Sequence, residues 1–310
     1  MGCRDVTTAR VLVVGAGVIG QIYGGRLAMA GHDVTMLARG DTATGLSENG
    51  IRLSHEGIRE EVSVDVVAAV PEGRFGAVLV AVRADQITSV LNTVVGIPTD
   101  RLIFLQNVGT HLKEVSQLAD GRAVFAFPGV GGGREQDGTI RYVVVPQQKT
   151  TVGNASGREV EVVDLLRSTG LPVTVTDDMP AWLLTHIVFL VGVGAALLTR
   201  DVDGAVLAAD AAQVREMVLA IREGFGAPSR QGTTPTPAAL RTIFTRVPVK
   251  FATWYWRRQL SGPVGAAAIA PHVAATRDNE MVTLAEEVRR LLGVGAPTPF
   301  FYSILQESRL

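Results

Sequence analysis

The chain has 310 residues, enough for two domains and a large buried core. Apolar residues make up 47% and charged residues 19%, and the formal net charge of −1 argues against nucleic acid or an anionic membrane as the main partner. One cysteine, Cys3, leaves no disulfide framework and no thiolate metal cluster, so no metal site is expected.

The N-terminus carries Arg4 and Arg10 but no long apolar stretch, so no signal peptide is expected. The most apolar run, residues 187–198, is too short to span a bilayer and suits a buried helix. A cytoplasmic protein without a membrane partner is the expectation.

Residues 11–14 read as a short buried strand running into Gly15-x-Gly17-x-x-Gly20. A helical stretch follows as far as Gly31, and residues 33–38 supply a second strand. In such a βαβ unit the glycines have separate jobs: a tight turn, a close backbone approach to a pyrophosphate, and close packing of helix on strand. The helix start offers free N–H groups and the positive end of a dipole. Gly15, Ala16, Gly17, Val18, Ile19 and Gly20 are therefore expected to cradle a dinucleotide, the other reading being an ordinary glycine-rich turn. The second strand ends at Arg39. An acid there binds the 2′-hydroxyl of NAD, whereas an arginine suits a 2′-phosphate and so favours NADP(H). A solvated arginine paired with Asp41 is the alternative.

Residues 50–54 and 60–68 read as short strands, and 77–82 as a buried strand ending on Arg83 and Gln86. A helix is predicted over 87–95 and another buried strand over 101–106, ending on Asn107, Gly109 and Thr110. Ligands of open parallel sheets lie outside the carboxyl ends of the strands, which makes Arg83, Gln86, Asn107 and Thr110 candidates by position. Residues 123–127 form a further strand. The run Gly129 to Gly133 reads either as backbone close to a ligand or as a mobile loop. Residues 139–145 and 149–152 have the alternation of antiparallel strands. A helix over 159–168 and a strand over 173–176 complete the α/β part.

Helical patterns then dominate: 181–198, 204–225, 237–244, 249–260 and 266–292. Met281, Leu284, Val288 and Leu291 or Leu292 form an apolar stripe, with Gly293 and Pro297 as stop signals. The predicted fold is an α/β Rossmann domain with a mostly parallel sheet over 1–178, followed by an all-helical domain over 179–310. The cluster Trp254-Tyr255-Trp256 reads as core or dimer packing, or as the wall of an apolar substrate site.

This ordered set resembles the ketopantoate reductase (2-dehydropantoate 2-reductase) family. The matching pieces are the Gly15–Gly20 turn, Arg39, Arg83 with Gln86, Gln106-Asn107-x-Gly109, Gly131-Gly132 with Asp137-Gly138, the helix anchored by Trp182, and Gly293-x-x-x-Pro297. The resemblance implies an NADP-dependent reductase, with Arg39 gripping the 2′-phosphate and Asn107 at the nicotinamide and substrate. It also makes a homodimer an option. Arg83 stands where the family usually has lysine, trading a point charge for a planar fork.

The catalytic half departs from the family. The lysine and two asparagines that the family spaces at i, i+4 and i+8 on this helix fall on Leu184, Val188 and Gly192. Without gaps, the family's substrate-binding glutamate and serine fall on Arg277 and Gly265; a shift of three residues brings Glu280 into the glutamate's place. The missing lysine leaves no obvious proton donor, a loss worth about 10²–10⁴ in rate. His186 and His272 are the titratable candidates, each also readable as a packing histidine, and His111 ranks below them. An apolar stripe on this helix suggests a larger, greasier substrate than a small hydroxy-keto acid.

The expectation is an NADPH-dependent oxidoreductase diverged to a hydrophobic carbonyl or imine substrate, in a specialised, secondary-metabolite pathway. A non-redox cyclase, isomerase or lyase with NADP(H) structural or vestigial is the alternative, and a catalytically silent cofactor-binding subunit is a third reading.

Overall fold

The computed structural model describes residues 8–108, 111–155, 157–230, 232–293 and 298–310. Cys3, Arg4, Gly109, Thr110 and Pro297 lie outside the described residues. The chain divides into two compact units. One runs to Gln106 and resumes over His111–Asp177; the other comprises Asp178–Leu310 with Asn107 and Val108, which the sequence reading had assigned to the first domain.

The first unit is built on an eight-stranded, mostly parallel sheet. Its strands are β1 (Arg10–Val14), β2 (Asp33–Leu37), β5 (Asp65–Val67), β6 (Ala77–Val80), β7 (Leu102–Leu105), β8 (Ala123–Phe127), β11 (Thr150–Gly153) and β12 (Val173–Thr176), in the order β12-β11-β8-β7-β6-β1-β2-β5. The central strands β6 and β7, and β1 beyond its half-buried Arg10, are apolar on both faces and buried, as a parallel sheet between helices requires. Among the described strands of this sheet the one antiparallel pairing is β11 with β8, and β12 runs parallel to β11. The crossover helices are α1 (Val18–Met29), α2 (Gly40–Asn49), α3 (Ile87–Val95), α4 (Leu112–Leu118) and α5 (Glu159–Ser168). β1 pairs with β2 on one side and β6 on the other, so the strand order reverses at β1. Its carboxyl end is the switch point at which such sheets bind ligands.

A second sheet, in the order β4-β3-β10-β9, consists of β3 (Ile51–His55), β4 (Ile58–Val62), β9 (Val130–Arg134) and β10 (Ile140–Val144), and packs on α1. Two expectations are corrected here. The single strand expected over 60–68 is broken at Ser63-Val64, with β4 in the small sheet and β5 at the edge of the large one. Of the two readings of the glycine run, the loop is corrected: Gly131, Gly132 and Gly133 lie in strand β9, paired antiparallel with β10. A Cβ on Gly132 would stand 2.4 Å from the Arg141 carbonyl oxygen, so the pairing itself requires glycine there. Deep in this unit Tyr23 Oη and Thr150 Oγ1 share a 2.6 Å hydrogen bond, and the Gly129 N–H donates to Tyr23 Oη. Burial pushes the phenol up to about 12.

The second unit is helical: α6 (Met179–Leu198), α7 (Gly204–Ala209), α8 (Ala211–Arg230), α9 (Ala238–Thr245), α10 (Val249–Leu260), a π-helical turn (Gly265–Ile269), α11 (Ala270–Thr276), α12 (Glu280–Leu292) and α13 (Pro299–Ser308). Asp178 caps α6, its carboxylate accepting from the Ala181 N–H, with Pro180 in the first turn. α6 is longer than its most apolar run. By length and composition it could cross a membrane, yet 83% of its apolar window is buried in the structure, as suits the core helix on which α8, α11, α12 and α13 pack. The helix expected over 204–225 is divided at Asp210, whose carboxylate accepts from the Ala212 and Gln213 N–H groups and starts α8. The helix expected over 266–292 is likewise divided, Asn279 capping α12.

Candidate functional site

In the first unit the glycine motif forms the turn from β1 into α1 at the switch point. Gly15 has φ +104°, and a Cβ there would stand 2.5 Å from the Ala81 carbonyl oxygen just beyond β6. A Cβ on Gly20 would stand 1.8 Å from the Gly15 carbonyl oxygen, so only glycine lets α1 start this close to the strand end. Gly17 differs: nothing lies within 4 Å of where its Cβ would be. Gly17 is also the N-cap of α1, with no side-chain cap and no acid in the first turn. Room is thus left beside residue 17 at the start of α1, with Val18 and Ile19 in the first turn and no acid there to neutralise the dipole's positive end, an arrangement that fits a dinucleotide pyrophosphate. Gln21 steadies the turn by donating from Nε2 to the Ala16 carbonyl oxygen at 2.8 Å.

Arg39 is the exposed N-cap of α2, straight after β2 and Ala38. Among the described residues it has no carboxylate partner, and Asp41 in the first turn of α2 does not pair with it. Arg83 is placed otherwise. Its guanidinium forks onto Asp85, Nε to Oδ1 at 3.1 Å and Nη2 to Oδ2 at 3.2 Å, while its backbone N–H donates to Gln86 Oε1. The two cationic candidates thus stand differently: Arg39 is available to an anion, Arg83 already engaged. Gln106, just beyond β7, is buried with both amide atoms lacking a hydrogen-bond partner. Buried polar groups are nearly always paired, which sets this amide apart from the rest of the strand end.

In the second unit, Asn107 is 4% exposed and its Oδ1 has no hydrogen-bond partner. The structure brings His186 and His272 near one another on α6 and α11. Burial first, and the charge of His272 second, pull the His186 imidazole down to about 3. At neutral pH that ring is uncharged. It stacks on Trp182 with centroids 5.1 Å apart and ring planes 6° apart. His272 Nε2 is buried without a hydrogen-bond partner, 3.9 Å from Oε2 of the buried Glu280 on α12. Glu280, reached from the sequence only by a register shift, is thus part of one group with the two histidines. His111 belongs to the first unit, as the N-cap residue of α4 with its Nδ1 3.1 Å from Glu114 Oε2.

The apolar stripe on α6 needs a correction. Val188 is fully buried against α8, where its Cγ1 would meet a Cβ on Gly224 at 2.5 Å. A Cβ on Gly192 would meet Ile221 of α8 at 2.4 Å. These two positions are helix-packing core, and Leu184 alone of the three is half-buried. The aromatic triplet divides as well. Trp256 is core, stacked on Phe244 and packed on Phe189, whereas Trp254 is 56% exposed and leans on Phe251. The residue that sequence reasoning missed is Arg134, whose Nη2 donates to the Ala16 carbonyl oxygen at 3.4 Å.

A parallel sheet reversing at β1, a glycine turn at that point and a helical second unit define a dinucleotide-binding protein of the Rossmann type with an appended helical domain. Residues 11–157 match the family model described as ketopantoate reductase PanE/ApbA. A 2-dehydropantoate 2-reductase of Pyrococcus abyssi is 25% identical over 181 residues, which cover 56% of this chain and 58% of the relative. The chain thus spans somewhat over half the length of the curated relative it matches. Two solved structures share the fold. A 2-dehydropantoate 2-reductase from Geobacter metallireducens has TM-score 0.75 at 17% identity, covering 97% of this chain and 99% of that one. A D-mandelate dehydrogenase with NADH and anilino(oxo)acetate has TM-score 0.75 at 14% identity, covering 96% and 97%.

Proposed function

We propose that the chain is an NADP(H)-dependent reductase of the ketopantoate reductase type that acts on a carbonyl or imine carbon of a substrate larger and more apolar than ketopantoate, in a specialised pathway. The observation that carries the reading is the open, uncapped Gly17 turn together with Arg39, a guanidinium at the end of β2 with no carboxylate partner among the described residues. Bound there, a nicotinamide dinucleotide supplies or accepts a hydride. Gly15, Ala16, Gly17, Val18, Ile19 and Gly20 hold its pyrophosphate, and Arg39 holds the 2′-phosphate. The mandelate dehydrogenase neighbour holds an aryl-bearing oxo acid on the same fold, which supports a substrate of that size class.

In this reading His272, with Glu280 beside it, gives up the proton that a reduced oxygen needs. His186, neutral at pH 7, serves as an apolar wall with Trp182. Asn107 offers its unsatisfied amide oxygen to a substrate N–H or O–H. Arg83, engaged by Asp85, orients an anionic group only if it exchanges that partner. We include in the reading a cytoplasmic setting and pairing of two copies, both resting on the family resemblance.

Equilibrium titration with NADPH and NADH tests the cofactor reading. Wild-type protein is expected to bind NADPH more tightly, and Arg39→Ala to lose about 10- to 100-fold in NADPH affinity with NADH unchanged, the range for one hydrogen-bonded charge. Equal affinity for the two cofactors in wild type, unmoved by the substitution, contradicts it. Substrate conversion without NADPH consumption supports the non-redox alternative instead.

A further inference from the structure

Arg134 closes β9 and sits beside the dinucleotide turn without being part of the glycine motif. Alternation along the strand separates it from Glu135, which is engaged by Arg59 and Arg141 at 4.0 and 3.9 Å. Arg134 itself has no carboxylate partner among the described residues. Its single hydrogen bond there, from Nη2 to the Ala16 carbonyl oxygen at 3.4 Å, parks the guanidinium at the mouth of the turn and leaves its other N–H groups without acceptors. The side chain keeps contact with solvent, yet partial desolvation holds the guanidinium below its ordinary value. A cation that is partly stripped of water and has no anion beside it is suited to receive one.

The position follows from the fold. β9 packs along α1, and its register with β10, Arg134 opposite Ile140, sets how far the strand reaches toward the first turn of that helix. A guanidinium presents several N–H donors in a plane and matches phosphate oxygens two at a time.

We propose that Arg134 binds the pyrophosphate of the dinucleotide from the side opposite the α1 N-terminus, as a second cationic contact independent of Arg39. The proposal rests on the cofactor reading above and adds a division of labour to it. Arg39 distinguishes NADP from NAD, while Arg134 serves the part common to both.

Isothermal titration of wild type, Arg134→Ala and Arg134→Lys with NADPH, NADH, ADP and adenosine separates the possibilities. Arg134→Ala is expected to weaken NADPH, NADH and ADP alike by about tenfold, to leave adenosine unchanged, and to lose less at high salt than at low salt. Arg134→Lys, which keeps the charge and loses the fork, is expected to fall between. Unchanged affinity for all ligands in Arg134→Ala overturns the proposal, as does a loss confined to NADPH, which would place the residue on the 2′-phosphate. Failure of wild type to bind NADPH, NADH and ADP overturns both this proposal and the reading beneath it. An unchanged thermal midpoint in Arg134→Ala shows that an affinity loss is not unfolding.

Discussion

Gly20→Ala is expected to destabilise the first unit by about 3 kcal/mol or more, whereas Gly17→Ala leaves stability near that of wild type and abolishes tight binding of dinucleotides. A Cβ on residue 20 would fall 1.8 Å from the Gly15 carbonyl oxygen and 3.0 Å from its carbon, both backbone atoms, with Val13 Cγ1 next at 3.5 Å. No rotamer change relieves such a contact. α1 must instead slide away from the end of β1, opening the packing of Ile22, Tyr23 and Leu27 against the sheet. Residue 17 has φ −75°, which any residue adopts, and free space where its Cβ would go, so alanine is tolerated by the fold. The new methyl group then occupies the volume that a pyrophosphate needs. Urea midpoints and dinucleotide titrations of the two variants check the pair. A Gly20→Ala protein as stable as wild type, or a Gly17→Ala protein with undiminished affinity, contradicts the account of the turn.

The second large effect is an acid limb set by His186. Its folded-state value is pulled down to about 3 from an ordinary 6.5, by burial first and by His272 second. A base held below its unfolded value contributes no penalty above pH 6.5. As pH falls from there toward 3, the unfolded chain takes up a proton that the folded one refuses, and stability is lost across that window. The loss is on the order of 3–5 kcal/mol near the lower end. His186→Phe keeps a ring against Trp182 and removes the titration, so its stability is expected to fall less between pH 7 and pH 4. Carboxylates contribute equally to both proteins and cancel in the comparison. Parallel pH profiles would contradict this account of His186. The same neutral ring is why His272, rather than His186, is given the proton in the proposed reaction.

How much of this was legible in the sequence depends on where each signal lives. The unit from β1 through the glycine turn to β2 was readable because an apolar run, a steric motif and a helical period all lie within about thirty residues. Buried strands β6 and β7 were readable for the same local reason, and α10 coincides with its predicted span. α2 was not, because Gly40-Asp-Thr-Ala-Thr-Gly45 has little apolar periodicity and starts on a glycine with φ +56°. β9 was hidden by its three glycines, which disfavour strands on their own, and of which Gly132 is dictated by the Arg141 backbone across the sheet. α13 opens on Thr298-Pro299, a cap residue and a first-turn proline that the sequence reading left unused.

The candidate site divides the same way. The turn and Arg39 are consecutive features of one supersecondary unit. Arg134 reaches that turn from 118 residues away, through a strand the sequence did not reveal. Helical spacing places Leu184, Val188 and Gly192 on one face, but only the neighbouring helix shows that the last two serve packing. Their apolar character therefore follows from Ile221 and Gly224 of α8, and it no longer argues by itself for an apolar ligand.

The central claim is that the cofactor turn is intact while α6 lacks the proton-donating side chain that the family resemblance places at position 184. One single-turnover experiment tests it: protein loaded with NADPH is mixed with ketopantoate, and nicotinamide fluorescence and absorbance are followed together. The account predicts NADPH bound at the outset, with its oxidation by ketopantoate slower than that of a lysine-bearing family member by at least about 10²-fold. Oxidation at the rate of such a member, or no NADPH bound at all, contradicts it.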